Sequence, residues 1–404
     1  MTCSSQRPLL SIVIPTRERA RYLRHSLNTA VACADPRIEI VVSDNASEDD
    51  TAKVVAEAKH ANIKYVRTKE RVPVSQNFES AFSNSTGEYI SYLGDDDAVI
   101  PSGIRDLLEL LEARAPDIVS WPELPYYWPD GGINGYLGLK RRMLRGGVVE
   151  LDPAEVMRDW CAGKAGKVAV NFGCISRRVV QAVASRAGKL YYDSNPDSSV
   201  VAILACASSC VYLNRPVRVY GRSPASATTA LAKLEPKTYA AFAAENFGTD
   251  TGTLDFRCRS ILALWLAGLM LTRRILGLTN PPIDFEKWKE RIATELAPAP
   301  EPGRSEQLRY INEWLIRNGI APMDAEAFAA AKRGHSEFSA QKPRPKVSLH
   351  SIIMHTGPDF MQNVDLAVRV AEHITGAPKL LSRTSWPVST LRWVGAMRRA
   401  RRLT

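Results

Sequence analysis

The stretch Tyr89-Ile90-Ser91-Tyr92-Leu93-Gly94-Asp95-Asp96-Asp97-Ala98-Val99-Ile100-Pro101-Ser102 decides how the chain is read. A short run of aromatic and β-branched residues, the composition of a buried strand, stops at three consecutive aspartates. Pro101 and Ser102 then open a helix, with Ser102 as its expected cap. Adjacent carboxylates repel one another and stay ionised together at neutral pH only with positive charge among them. Hard oxygen donors with no His or Cys beside them suit Mg²⁺ or Mn²⁺, and Mg²⁺ is usually held by one or two carboxylates plus substrate phosphates. A solvated acidic turn ahead of a helix is the plainer reading, and on this stretch alone the two weigh equally.

Outward from it, apolar runs alternate with helical periodicities. Leu10–Ile14 (ended by Pro15), Ile38–Ser43 (ended by Asp44-Asn45), Ile63–Val66 and Ile118–Trp121 read as strands. Leu23, Leu27 and Val31, then Val54, Val55 and Ala58, then Phe78, Ala81 and Phe82, then Ile104, Leu107 and Leu111 mark the helices. Ser47 and Ser75 are the expected caps of the second and third. Strict alternation predicts an α/β fold, a mostly parallel sheet covered by helices on both faces. Ligands of such sheets bind beyond the carboxyl ends of the strands. Pro15-Thr16-Arg17, Asp44-Asn45 and Asp95–Asp97 all fall on that edge, which favours a nucleotide pocket over the ordinary polarity of loops. No GxGxxG follows a strand and no GxxxxGK[ST] occurs, so dinucleotide-dehydrogenase and P-loop chemistry are disfavoured.

Composition narrows the class. The 404 residues are 45% hydrophobic and 24% charged, the balance of a globular protein, and are enough for two or more domains. Seven cysteines without a CxxC pair read as reduced thiols, the cytosolic usage. Leu9–Ile14 is too short for a signal peptide, and the longest apolar run, Ile261–Thr272, is shorter than a membrane span. A cytoplasmic protein is therefore expected. Its formal net charge of +10 favours an anionic partner.

The order Ser-Ile-Val-Ile-Pro-Thr-Arg (11–17), Ile-Val-Val-Ser-Asp-Asn-Ala-Ser (40–47) and Gly-Glu-Tyr-Ile-Ser-Tyr-Leu-Gly-Asp-Asp-Asp (87–97) resembles glycosyltransferase family 2, the inverting, nucleotide-sugar-dependent enzymes of the GT-A fold. The likeness covers Leu9 to about Trp121 and continues more loosely to about Ser226. It implies a Rossmann-like sheet, a UDP- or dTDP-sugar donor, a Mg²⁺ or Mn²⁺ ion, and transfer to a saccharide or polyprenyl-linked acceptor in the building of a surface polysaccharide. By position, Pro15 and Thr16 would line base and ribose, Arg17 reach a phosphate, Asp44 accept from the pyrimidine N–H, and Asn77 lie near the nucleotide. Asp95 would hold the ribose hydroxyls and Asp96 the metal, with Asp97 as second ligand or alternative. Many relatives carry Asp-x-Asp-Asp where this chain has Gly94-Asp95-Asp96-Asp97, which leaves the choice of metal ligand open. Without the resemblance, Asp44 is equally a turn residue and Asn77 a helix-surface residue.

Between Trp121 and Gly147 aromatics, glycines and arginines alternate, fitting either a lid over a diphosphate or a folded hairpin with its aromatics in a minor core. Asn195-Pro196-Asp197 reads as a helix start, where an acid ordinarily just complements the helix dipole. The resemblance instead makes Asp197 the general base for the acceptor hydroxyl, with Asp193 in reserve. Val217–Ser226 resembles the stretch that closes such catalytic domains, and it places Arg222 and Ser223 within reach of phosphate or acceptor.

The expected division is therefore a catalytic domain over 1–230 (donor half 1–121, acceptor half 122–230), a helical extension over 231–296, a stiff Pro-rich linker over 297–303, and a helical region with a basic tail over 304–404. The apolar helix around Ile261–Leu278 suits a domain or homodimer interface, and Trp386, Trp393, Arg398, Arg399, Arg401 and Arg402 suit the anionic inner face of a cell membrane. No nucleic acid is expected as partner. Two other functions fit the sequence alone: a nucleotidyltransferase acting on sugar phosphates, and a non-catalytic basic adaptor for membrane or nucleic acid.

Overall fold

The chain enters its main sheet through β1 (Leu10–Thr16), whose consecutive apolar residues are buried on both faces. The computed structural model describes residues 7–129, 135–140, 143, 146–164, 173–191, 199–226, 245, 246, 254, 258–297, 301–324, 346, 347, 351–356, 363–375, 396–398 and 400. After β1 come α1 (Ala20–Val31), β2 (Ile38–Asp44), α2 (Thr51–Glu57), β3 (Ile63–Arg67), α3 (Val74–Ser83), β4 (Tyr89–Tyr92), β5 (Ala98–Val99) and α4 (Pro101–Arg114). The middle of the chain gives β6 (Ile118–Ser120), β7 (Leu124–Tyr127), β8 (Gly135–Lys140), β9 (Val148–Leu151), α5 (Pro153–Cys161), β10 (Cys174–Ser176), α6 (Arg177–Ala187), α7 (Val200–Cys206), β11 (Cys210–Leu213) and β12 (Arg218–Arg222). The last third contributes α8 (Ile261–Leu276), α9 (Phe285–Leu296), α10 (Gly303–Arg317), β13 (Lys346–Val347), β14 (Ser351–Thr356) and α11 (Val364–Thr375).

The main sheet has the order β3-β2-β1-β4-β10-β6-β11-β9. Its first four strands are parallel, β10 runs antiparallel between β4 and β6, and β9 closes the far edge antiparallel to β11. This is the mostly parallel α/β arrangement with flanking helices that the sequence implies. Alternate side chains serve opposite cores: Leu10, Ile12 and Ile14 pack with α1 and α4, whereas Val13 packs with α5, α6 and α7. Strand β1 runs through Pro15 to Thr16, two residues past the expected end at Ile14. Proline's missing N–H is harmless there, because the β1–β4 ladder has already ended at Val13↔Tyr92.

A second sheet, β13-β14-β8-β7-β12-β5, lies behind the acidic turn. The aromatic stretch forms the β7–β8 hairpin, and Tyr126 and Trp128 are buried in a third core with Tyr22. The region expected to be purely helical supplies β14, which pairs with β8 from Ser351↔Lys140 to Thr356↔Gly135, and α11, whose Val364, Ala367, Val368 and Ala371 fill the same core. No described helix is long and apolar enough to cross a membrane; α8 instead buries Ala263, Leu266, Ala267 and Leu269 against the rest of the chain.

Three expected helix caps shift. Ser47 is spent in the β2–α2 turn, donating its N–H to Asp44 Oδ1 at 3.0 Å, and Asp50 occupies the cap position of α2 without a side-chain capping bond. Helix α3 starts after Pro73, and its Val74 N–H is taken by Asn246 Oδ1 at 2.7 Å. Helix α4 starts after Ile100, and the Ser102 N–H donates to Glu372 Oε1 on α11 at 3.1 Å. At α3 and α4 distant segments thus satisfy helix-start amides that nearby serines were expected to satisfy, whereas at α2 Asp49 takes the Thr51 N–H locally at 3.0 Å. Asp152, by contrast, caps α5 with its own side chain, accepting from Ala154 N at 2.9 Å.

Gly221 in β12 is where the second sheet touches the acidic turn. A Cβ there would lie 1.7 Å from the Asp96 carbonyl oxygen. Because the obstacle is backbone, Gly221→Ala should cost about 3 kcal/mol, read as a lower urea midpoint with unchanged slope. A wild-type midpoint would mean that β12 does not pass so close to the acidic turn.

Candidate functional site

Parallel register brings the carboxyl ends of β1, β2 and β4 together, and Thr16, Asp44 and Asp95 with them. Thr16 Oγ1 donates to Asp95 Oδ2 at 2.8 Å, and both side chains are buried. Asp95 Oδ1 accepts from Arg19 Nη1, also at 2.8 Å, so both of its oxygens are engaged. Arg19 reaches on to the Ala225 carbonyl. Burial would lower its pKa, but Asp95 and Asp96 outweigh that and hold it above the ordinary arginine range. This guanidinium is the positive charge the acidic run requires. The sequence offered a signal for it, since Arg19 lies on the β1–α1 loop three residues after Thr16.

Asp96 and Asp97 meet β12 and the residues just after it. Asp96 Oδ2 accepts from Ser223 Oγ at 2.6 Å and from Ser223 N at 3.2 Å, and the Asp96 carbonyl accepts from Trp128 Nε1 at 3.0 Å. Asp96 Oδ1 accepts no hydrogen bond from any described residue. Burial raises the Asp96 pKa, against the pull of Arg19. Asp97 Oδ1 accepts from Gly221 N at 2.7 Å and its Oδ2 from Gly94 N at 3.1 Å, with Arg218 Nη1 3.5 Å away. Burial lifts Asp97 to about 7, with Arg218 pulling down and Asp96 pushing up. Asp97 is thus tied to the frame by both oxygens, whereas Asp96 has one oxygen open.

The glycine at 94 has a local cause: a Cβ there would meet Asp97 Oδ2 at 2.9 Å and Asp96 Oδ1 at 3.3 Å.

The remaining candidates divide between the rim and the frame. Pro15 is half-buried on the rim, and Arg17 forms an ion pair with Glu245, a residue beyond the family-like stretch. The Asp44 carboxylate is fully buried; it accepts from Tyr65 Oη at 2.5 Å and lies 3.4 Å from Arg67 Nε. Asn77 is no surface residue: its side-chain amide donates to the Ser43 carbonyl at 3.1 Å and accepts from Ser43 Oγ at 2.8 Å, tying α3 to β2. Arg222 donates to Tyr127 Oη at 2.8 Å. Asp193 and Asp197 lie outside the described residues. A cavity of about 360 Å³ lined by Arg7, Asp117, Arg177 and Arg178 sits at the opposite, amino end of β4 and β6, away from the acidic turn.

A cation fits this rim only in one way. Among the described residues no three His, Cys, Asp or Glu side chains converge as a ligand set. What is available is the open Oδ1 of Asp96, one carboxylate oxygen of the sort Mg²⁺ completes with substrate phosphates and water.

Sheet order and rim place the molecule among the α/β proteins whose ligands sit at the carboxyl ends of parallel strands. Residues 11–131 match the model of the family described as glycosyl transferase family 2, and the chain carries a domain of that family. An uncharacterized glycosyltransferase of Rickettsia prowazekii is 32% identical over 104 residues, 26% of this chain and 32% of that one. The Campylobacter jejuni GalNAc(5)-diNAcBac-PP-undecaprenol beta-1,3-glucosyltransferase is 28% identical over 105 residues, 25% of this chain and 34% of that one. Among solved structures, S. aureus TarS 1–349 in complex with UDP-GlcNAc has a TM-score of 0.45 at 12% identity, covering 84% of this chain and 94% of that one. The chain spans about a third or less of the length of the Rickettsia relatives it matches.

Arg218 and Asp97 are each 3% exposed, so removing the cation strands a buried acid. An acid whose folded pKa exceeds its unfolded one penalises the fold above the folded pKa, and the penalty fades as pH falls through it. Arg218→Leu should therefore cost about 4 kcal/mol near pH 8 and clearly less near pH 5, by urea denaturation at both. An equal loss at the two pH values would exclude the Asp97 pairing as its cause.

Proposed function

We propose that the protein is an inverting glycosyltransferase that moves a sugar from a UDP- or dTDP-sugar to a saccharide or polyprenyl-linked acceptor. One observation carries this: Thr16, Arg19, Asp95, Asp96 and Ser223 converge at the strand ends, and of the three aspartates only Asp96 keeps a carboxylate oxygen free of hydrogen bonds from described residues. The family match over 11–131 supports the donor half, and the name of the Campylobacter jejuni relative supports a lipid-linked acceptor.

Each residue then has a task. Pro15, Thr16 and Asp44 seat base and ribose, with Tyr65 yielding its bond to Asp44 when the pyrimidine N–H arrives. Arg17 and Arg19 meet the diphosphate. Asp95 orders the ribose side of the rim. Asp96 would hold a Mg²⁺ or Mn²⁺ ion, which supplies charge neutralisation on the departing diphosphate. Asp97 and Asn77 keep the frame rigid. Asp197, with Asp193 in reserve, takes the acceptor proton as the new glycosidic bond forms and the sugar–phosphate bond breaks. The basic tail rests on an anionic inner membrane face where a polyprenyl-linked acceptor would be presented.

A ligand at one hundred times its Kd stabilises the fold by about 2.7 kcal/mol, so a melting-temperature screen of UDP- and dTDP-sugars with Mn²⁺ identifies the donor. Asp96→Ala should lose that stabilisation entirely. Asp197→Ala should keep it and lose at least about 100-fold in transfer. Near-normal transfer by Asp197→Ala removes it as the base, and Mn²⁺-dependent stabilisation of Asp96→Ala removes the cation assignment.

A further inference from the structure

We infer that Ser223 is a positioning residue for the cation: it holds Asp96 by one oxygen so that the other faces the ligand, an inference that rests on Asp96 being the cation ligand. Ser223 follows directly on β12 and is 1% exposed. Its hydroxyl and its backbone N–H both donate to the same atom, Asp96 Oδ2, at 2.6 and 3.2 Å. A carboxylate's last torsion is otherwise soft. Two donors on one oxygen fix the carboxylate plane and occupy that oxygen, which leaves Oδ1 as the ligating atom. The Trp128 Nε1 bond to the Asp96 carbonyl fixes the backbone beneath it, so both ends of the residue are anchored.

The neighbours of Ser223 show that this contact is part of a pattern. Gly221 N donates to Asp97, Ser223 N to Asp96, and the Ala225 carbonyl receives Arg19, whose guanidinium also holds Asp95. Residues two apart on one short stretch, more than a hundred positions downstream of the turn, thus address each aspartate in turn. Gly221 and Ala225 do so through backbone. Ser223 alone of the three adds a side-chain donor, and a hydroxyl buried merely to fill space would not need to meet a carboxylate.

The test uses the full chain, MnCl₂ and UDP, with free Mn²⁺ followed by electron paramagnetic resonance and folding by melting temperature without Mn²⁺. Ser223→Ala keeps the N–H bond and should weaken Mn²⁺ binding about tenfold, the usual effect of losing a residue that orients a metal ligand. Its metal-free melting should shift little. Ser223→Thr, which keeps the hydroxyl, should restore affinity. Wild-type affinity in Ser223→Ala, or a folded Ser223→Thr chain that binds as poorly as Ser223→Ala, overturns the role of the hydroxyl while leaving Asp96 in place. Failure of the wild-type chain to take up Mn²⁺ with UDP overturns the Asp96 assignment itself.

Discussion

Everything at the rim depends on burying three adjacent carboxylates without losing the fold. Two guanidiniums make this tolerable: Arg19 on Asp95 from the loop after β1, and Arg218 near Asp97 from β12. Because an isolated buried charge is far costlier than a paired one, each arginine fixes where its loop or strand must run. The first draws the β1–α1 loop onto the turn. The second draws the second sheet behind it. What remains after this compensation is a single carboxylate oxygen, Asp96 Oδ1, that takes no hydrogen bond from a described residue.

How much of this was legible follows from the range of each interaction. Strands β1, β2 and β4 could be read directly, because a parallel strand covered on both faces is apolar at most positions, and Leu10–Ile14 and Ile38–Val42 each carry a single polar residue, Ser11 and Glu39. The gathering of Thr16, Asp44 and Asp95 on one edge was legible for the same reason, since parallel strands all end on the same side. The partners of the aspartates were not. Thr16–Asp95, Asp96–Ser223 and Asp97–Arg218 span 79, 127 and 121 positions, and no local pattern encodes a partner that far away. The same limit explains Asn77, whose amide looks like surface polarity in sequence but ties α3 to β2 in space. It also explains the helix starts, where serines at the right spacing yield to Asn246 and Glu372.

The family-like stretch is therefore only part of the machinery. Arg17 is held by Glu245, α3 begins on Asn246, and α4 begins on Glu372, all from beyond residue 231. His25 on α1 lies 3.7 Å from Asp365 on α11 and tilted against Trp128, the residue that pins the Asp96 carbonyl. Residues with little resemblance to any motif set the stiffness of the ones that have it.

The seating of β14 against β8 has a practical corollary for anyone preparing this protein. A fragment cut at about residue 230 would leave the backbone donors and acceptors of Gly135–Lys140 as a bare sheet margin and uncover Leu137, Leu139 and Trp128. Margins of that kind recruit other chains. Insoluble material from such a clone would report a missing strand, not a missing activity, and the shortest well-behaved version of the molecule should run past Thr375.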